Sequence, residues 1–270
     1  MKCSLTLYTL LAILLATGKH VSGQNCGCAP NLCCSQFGYC GFSDAHCGNG
    51  CRSGPCIGSS PGGSNGTIVS NIVTDNFFNG IARLAPPDCA GKGFYTRAAF
   101  LQAIRAYPQF GTTGSTDNAK REIAAFFAHV THETGHFCYT REINGGTFCA
   151  SSNRQWPCTP GQSYYGRGPL QLTWNFNYGP AGRAIGFDGL NNPDLVARDP
   201  IISFKTALWF WEKNVHLLIT SGQGFGASIR AINGNLECNG GNPATVTARV
   251  NYYTRYCSQI GVSPGPNLRC

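Results

Sequence analysis

A large, mainly α-helical domain preceded by a small disulfide-rich one is the fold class that this sequence predicts. Three observations carry the prediction. Eight cysteines crowd into residues 26–56, at positions 26, 28, 33, 34, 40, 47, 51 and 56. Residues 58–67, Gly-Ser-Ser-Pro-Gly-Gly-Ser-Asn-Gly-Thr, have the composition of a flexible linker. Beyond Ile68, apolar residues recur at helical spacing between recognisable caps, and no alternating strand pattern of any length occurs.

The N-terminus comes first. Lys2 precedes an apolar run from Leu5 to Ala16 and a polar stretch ending Val21-Ser22-Gly23. This is the pattern of a secretory leader, with an apolar region too short to span a bilayer. It predicts a leader over 1–23, cleavage after Gly23 and an extracellular, oxidising destination with no membrane partner. The 20 Lys+Arg against 12 Asp+Glu give a net charge of +8, but the cations are scattered without a basic run, which speaks against a nucleic-acid partner. Charged residues make up only 12% of the chain, so recognition falls to uncharged polar and aromatic groups.

The segment 24–57 contains little that is apolar besides its cysteines, so it cannot fold on burial alone and needs covalent staples. A zinc cluster is the competing use of so many thiols, and the secretory leader argues against it. In Cys33-Cys34-Ser35-Gln36-Phe37-Gly38-Tyr39-Cys40-Gly41 two aromatics alternate on a stapled loop, presenting flat apolar faces of the kind on which pyranose rings stack. Ser35 is placed to hydrogen-bond an acetamido group. Residues 26–56 are similar throughout to hevein-type chitin-binding domains. The resemblance implies Ser35, Phe37, Tyr39 and His46 as the chitin contacts. It also implies the pairings Cys26–Cys34, Cys28–Cys40, Cys33–Cys47 and Cys51–Cys56, one arrangement out of the 105 that eight cysteines allow. The linker holds the sequon Asn65-Gly66-Thr67.

Residues 68–270 read as helical. Asn118 to Thr134 places Ile123, Phe127, Val130 and Thr131 on one face and stops at Gly135, a left-handed cap. Asp199-Pro200 is a cap with proline at the first helical position, followed by the stripe Ile201, Phe204, Leu208 and Trp211. Asn242-Pro243 repeats that start before Val246, Val250, Tyr253 and Cys257. The stretch from Gly166 to Gly182, rich in Gly, Asn and Tyr, reads as a binding loop, whereas Trp209 and Trp211 read as core.

His132-Glu133-Thr134-Gly135-His136 matches H-E-x-x-H, the zinc-protease pattern. Gly135 between the histidines is a helix stop that takes His136 off the helical face, and Glu142 stands where a metzincin needs its third histidine. Paired-carboxylate chemistry fits better. The chain has five glutamates, at 122, 133, 142, 212 and 237. Glu122 begins a helix and Glu212 ends one beside Lys213, so both have bland explanations. Glu133 lies in a last helical turn, where the macrodipole disfavours negative charge and a carboxyl suits general-acid work. Glu142 follows the turn on another element, so the two carboxyls can flank a glycosidic bond. Arg249, beside an apolar stripe, needs a carboxylate, either Glu142 or Glu237.

The runs at 132–139 and 164–172, with Ile232-Asn233-Gly234 and Glu237-Cys238, resemble plant chitinases of glycoside hydrolase family 19, and Cys26-Gly27-Cys28 and the compact loops resemble their class IV subgroup. The resemblance implies a bilobal, lysozyme-like helical catalytic domain over 68–270 that hydrolyses β-1,4-linked N-acetylglucosamine polymers with inversion, a role in plant defence against fungi, and a monomer that needs no metal or organic cofactor. It gives Glu133 as general acid, Glu142 as general base, and Thr173 as the hydroxyl that holds the attacking water. Asn177 and Asn233 would grip N-acetyl sugars, Trp156, Tyr165 and Gln171 would line the cleft, and Glu237 and Arg249 would tune Glu142. It implies disulfides Cys89–Cys138, Cys149–Cys158 and Cys238–Cys270, leaving Cys257 as a buried thiol. The alternative from another class is a chitin-binding lectin that has lost catalysis.

Overall fold

The computed structural model describes residues 26–28, 32–41, 46, 51–53 and 65–270. The leader and its cleavage site, residues 54–64, Cys47, Cys56 and the side chain of Asn65 lie outside them. In the small domain, β1 (Cys33–Cys34) pairs antiparallel with β2 (Cys40–Gly41). Disulfides join Cys26 to Cys34 and Cys28 to Cys40, while Cys33 and Cys51 are disulfide-bonded to cysteines outside the described residues.

The large domain is helical: α1 (Asn65–Ile72), α2 (Asp75–Ala82), α3 (Arg97–Ala103), α4 (Thr116–Thr134), α5 (Asn175–Ile185), α6 (Pro200–Asn214), α7 (His216–Thr220), α8 (Phe225–Glu237) and α9 (Pro243–Gln259). Local chemistry sets the ends. Ser115 Oγ accepts from Asn118 N, Asp199 Oδ1 from the amides of Ile201 and Ile202, and Asn242 Oδ1 from Thr245 N. Gly135 closes α4 at φ +58°.

The sequence pattern gives α4 one apolar face, but the structure buries it on nearly every side, because α2, α3, α6, α8 and α9 surround it. A helix enclosed in this way can bury polar residues only where partners exist. The rings of Phe77, Phe78, Phe100, Phe126, Phe127, Phe137, Phe204 and Trp211 pack around it, mostly edge to face. Each such pair adds about 0.5–1.5 kcal/mol beyond its burial. Along α9, Thr131 Oγ1 meets Tyr256 OH at 2.8 Å, and Tyr253 stacks on Phe225 of α8.

The stretch from Gly166 to Gly182 is not simply a loop. Its second half is α5, which builds a second core from Tyr164, Leu172, Tyr178, Ala181, Val196 and Trp209. Gly179 and Gly182 are there for close approach: a Cβ at Gly179 would run into the Trp156 ring, and one at Gly182 would meet the backbone at Phe187 and Gly189. Disulfides Cys89–Cys138, Cys149–Cys158 and Cys238–Cys270 tie down the segments outside the helices, and Cys257 is free and buried.

Glu122 is not the bland helix-starter that its position suggests. It is fully buried, accepting from Gly111 N at 2.9 Å, Trp211 Nε1 at 2.9 Å and His216 Nδ1 at 2.6 Å. The hydrogen bond to Glu122 raises the His216 pKa above its ordinary 6.5, outweighing burial, and the charges of Glu122 and Glu212 add to the rise. A raised folded value gives stability that is full below about pH 6.5 and lost as pH climbs through the folded value. Thermal melts of wild type and His216→Gln between pH 5.5 and 9 are therefore expected to converge towards the alkaline end. A gap that widens with rising pH contradicts this linkage.

Candidate functional site

After Gly135 the chain keeps two more residues left-handed, His136 at φ +64° and Phe137 at φ +67°, so it reverses sharply off α4. Thr134 holds the reversal by accepting from Phe137 N at 2.8 Å while donating to Val130 O. His136 leaves the helix and rests edge-on against Tyr252, so the two histidines of the H-E-x-x-H run do not share a helical face. Among the described residues, only Cys26, Cys28 and Cys40 lie close enough to share a metal ion, and all three are in disulfides.

The reversal leaves Glu133 at the wall of a cleft of about 630 Å³, in the range of pockets that take sizeable ligands. Glu142, Gln171, Thr173, Asn177 and Asn233 line the same cleft. Its walls draw on α4 and α8 of the first core and on the 166–177 segment of the second, and this gives the domain its two lobes.

Glu133 is held from behind. Arg249 is 1% exposed on α9 and bonds Glu237 twice, through Nε at 2.8 Å and Nη2 at 2.7 Å. The same Nη2 reaches Glu133 Oε1 at 2.5 Å. Burial pushes the Glu237 carboxyl upward, but the hydrogen bonds and charge of Arg249 outweigh it and hold the group below its ordinary value. The guanidinium meets Glu133 and Glu237 rather than Glu142, because α9 packs along α4 and delivers it beside the last turn of α4. Neither Arg249 nor Glu237 lies in the cleft wall.

Glu142 is fixed by a different set of bonds. Its backbone N donates to Gly166 O at 2.7 Å, and its Oε2 accepts from Gly166 N at 3.0 Å. Beneath that contact Arg167, 2% exposed, donates to the carbonyls of Ser163 and Tyr165, to Tyr178 OH and to Asp194 Oδ1 at 2.6 Å. Thr173 Oγ1 donates to Gln171 O at 2.7 Å, leaving its lone pairs for a donor in the cleft, and Asn177 Nδ2 donates to Thr173 O. Asn233 breaks the helical geometry of α8 at φ −145° and donates to Glu237 Oε1 at 2.8 Å.

Two of the expected cleft residues, Trp156 and Tyr165, are half-buried and held by contacts of their own. Trp156 packs on Gly179 with the Arg183 guanidinium 4.8 Å above it, because the glycine leaves room for the ring on α5. Tyr165 lies under Arg167, 3.7 Å from ring centroid to guanidinium, and against Gly145. The cleft also shows apolar residues that no sequence motif marks: Tyr139, Ile143, Phe148, Trp174, Ile232 and Leu236. Trp174 is a half-exposed, non-glycine residue at φ +76°, stacked on Phe176 and meeting Phe148 edge-on. A large aromatic in an otherwise Gly- and Asn-rich run was the signal available for it.

In the small domain Ser35 is buried and its Oγ accepts from Tyr39 N at 3.1 Å, so it shapes the turn that presents the rings. Phe37 and Tyr39 are 67% and 53% exposed, and the half-buried His46 ring packs against Gly41.

Comparison with known proteins agrees with this architecture. Residues 72–217 and 219–270 match the glycoside hydrolase family 19 model described as "Chitinase class I", and residues 17–56 match "Chitin recognition protein". The chain is 62% identical to Endochitinase A of Zea mays, covering 97% of this chain and 96% of the relative. It is 60% identical to Endochitinase EP3 of Arabidopsis thaliana, covering 99% and 97%. Among solved structures, the family 19, class IV chitinase from Zea mays is 63% identical with a TM-score of 0.72, covering 75% of this chain and all of the other. Chitinase C from Streptomyces griseus is 43% identical with a TM-score of 0.68, covering 74% and 97%. The chain belongs to glycoside hydrolase family 19 and carries a chitin-recognition domain at its N-terminus.

Proposed function

We propose that the protein is a secreted endochitinase that cleaves β-1,4 linkages between N-acetylglucosamine units in a single inverting displacement. The observation that carries the reading is the pair of carboxyls, Glu133 and Glu142, on separate elements lining one cleft. Glu133 gives its proton to the glycosidic oxygen as the C1–O bond breaks. Water attacks C1 from the other face and passes a proton to Glu142, while Thr173 orients the water with a hydroxyl lone pair. Arg249 then faces the carboxylate left on Glu133. Gln171, Asn177 and Asn233 supply amides for acetamido and hydroxyl groups, and the apolar rim supplies faces for the sugar rings.

Residues 24–57 act as a separate chitin anchor through Phe37 and Tyr39. The leader pattern and the paired cysteines support an extracellular site of action, and the plant relatives named endochitinases support a part in defence against fungi. The lectin alternative has the presence of both carboxyls in one cleft against it.

Incubation with a soluble chitin hexamer in EDTA tests the reading, with internal cleavage products expected. Deleting residues 24–57 is expected to weaken adsorption to insoluble chitin by about tenfold or more through lost avidity, with turnover of the hexamer unchanged. Equal losses on both substrates count against two separable roles, and a silent wild type counts against the enzyme itself.

A further inference from the structure

We propose that His129 is a positioning residue for the acid, its imidazole fixing the direction from which Arg249 holds Glu133. The proposal rests on Glu133 being the acid. His129 lies one helical turn before Glu133 on α4, fully buried and away from the cleft wall, so it touches no substrate. Its Nδ1 is 3.1 Å from Arg249 Nη1 and its Nε2 is 2.8 Å from Ser228 Oγ, which in turn is 2.7 Å from Phe225 O.

Donor inventory settles the tautomer. A guanidinium only donates, so Nδ1 accepts and the ring proton sits on Nε2. Ser228 takes that hydrogen bond and donates its own hydrogen to the Phe225 carbonyl. Every hydrogen in the chain points one way, from Arg249 through His129 and Ser228 to the backbone of α8.

A protonated ring would set N–H against N–H at Arg249. Burial first, then the charge of Arg249 and the neighbouring His132, hold the His129 pKa well below its ordinary value, with Glu133 and Glu237 the acidic groups on the far side of the guanidinium. The ring is clamped as well, stacked on Phe225 with centroids 4.8 Å apart and an interplanar angle of 25°. Of the guanidinium nitrogens, Nε and Nη2 serve the two carboxylates and Nη1 serves His129. Removing the acceptor at 129 leaves a buried donor unpaired and lets the guanidinium turn away from Glu133.

His129→Phe keeps a ring against Phe225 and removes both nitrogens, whereas His129→Gln keeps an acceptor and a donor. The readings are kcat and KM on a soluble chitin hexamer and on a 4-nitrophenyl chitooligosaccharide, with circular dichroism and Tm as fold controls. His129→Phe is expected to lower kcat on the hexamer about 10²-fold with KM nearly unchanged, the cost of a misplaced catalytic group. The loss shrinks to less than about tenfold on the nitrophenyl substrate, whose leaving group departs without a proton. His129→Gln restores most of kcat. If His129→Phe does not fold, Ser228→Ala gives the same pattern at smaller size, and unchanged hexamer turnover there overturns the proposal. So does a folded His129→Phe with wild-type kcat, or one with equal losses on both substrates. Glu133→Gln run in parallel tells the failures apart. Wild-type turnover in Glu133→Gln overturns the acid reading and this proposal together, whereas a dead Glu133→Gln beside an unimpaired His129→Phe overturns the proposal alone.

Discussion

Glu133→Gln is expected to lower kcat on a soluble chitin oligomer by about 10²–10⁴-fold, with folding and oligomer binding intact. At 1.36 kcal/mol per factor of ten, that is roughly 3–5 kcal/mol of lost transition-state stabilisation. The substitution is a clean one here. Glutamine keeps an oxygen where Arg249 Nη2 now bonds Glu133 Oε1, so the guanidinium retains a partner and the wall of the cleft keeps its shape. Only the transferable proton is lost. Calorimetric binding of the oligomer to the inactive variant, together with an unchanged melt, separates loss of chemistry from loss of the site. Turnover within about tenfold of wild type removes Glu133 from the role of acid.

Arg249→Met is the second large effect, and it falls on stability as well as activity. Arg249 is 1% exposed, and the side chain of its main partner, Glu237, is 4% exposed. Taking away the cation leaves Glu237 buried and uncompensated, Glu133 without its anchor and His129 Nδ1 without a donor. Breaking a buried pair from one side typically costs about 3–5 kcal/mol. For a domain of this size the corresponding fall in Tm is on the order of 10 °C. Arg249→Lys is expected to recover little, because an ammonium cannot hold Glu237 with two parallel bonds while reaching Glu133. Adding Glu237→Gln to Arg249→Met should return part of the loss, since the two changes act on one interaction. A Tm within about 2 °C of wild type for Arg249→Met shows that the guanidinium is not what holds these helices in place.

What the sequence makes legible is mostly local. The caps at Asp199-Pro200 and Asn242-Pro243 and the stop at Gly135 depend on a few neighbouring residues, and the structure has all three. The carboxyls at 133 and 142 are legible as a pair because the chain has so few glutamates. What is not legible depends on packing between distant segments. The Gly-, Asn- and Tyr-rich composition between 166 and 182 reads as loop, yet Gly179 and Gly182 serve a helix that Trp156 and the 187–189 backbone press against. The partner of Arg249 follows from how α9 lies on α4, which no spacing rule supplies, so the pairing with Glu133 emerges only in three dimensions. The role of Glu122 is hidden for the same reason, since its three donors come from residues 111, 211 and 216.

The central claim is that Glu133 and Glu142 work together in a single displacement. It implies carboxyl groups roughly 6.5–9.5 Å apart, with room for a water between Glu142 and the sugar, rather than the 5–5.5 Å or so of an enzyme with a carboxylate nucleophile. Thr173 has a role only in the first case, as a hydroxyl that steadies the water. Proton NMR of a hydrolysate, recorded before mutarotation, reads the outcome at the newly formed reducing end. A β-linked substrate attacked once by water gives the α-anomer first, and that is the result expected. An initial β-anomer would mean two displacements through a covalent intermediate, and would contradict Glu142 as the base.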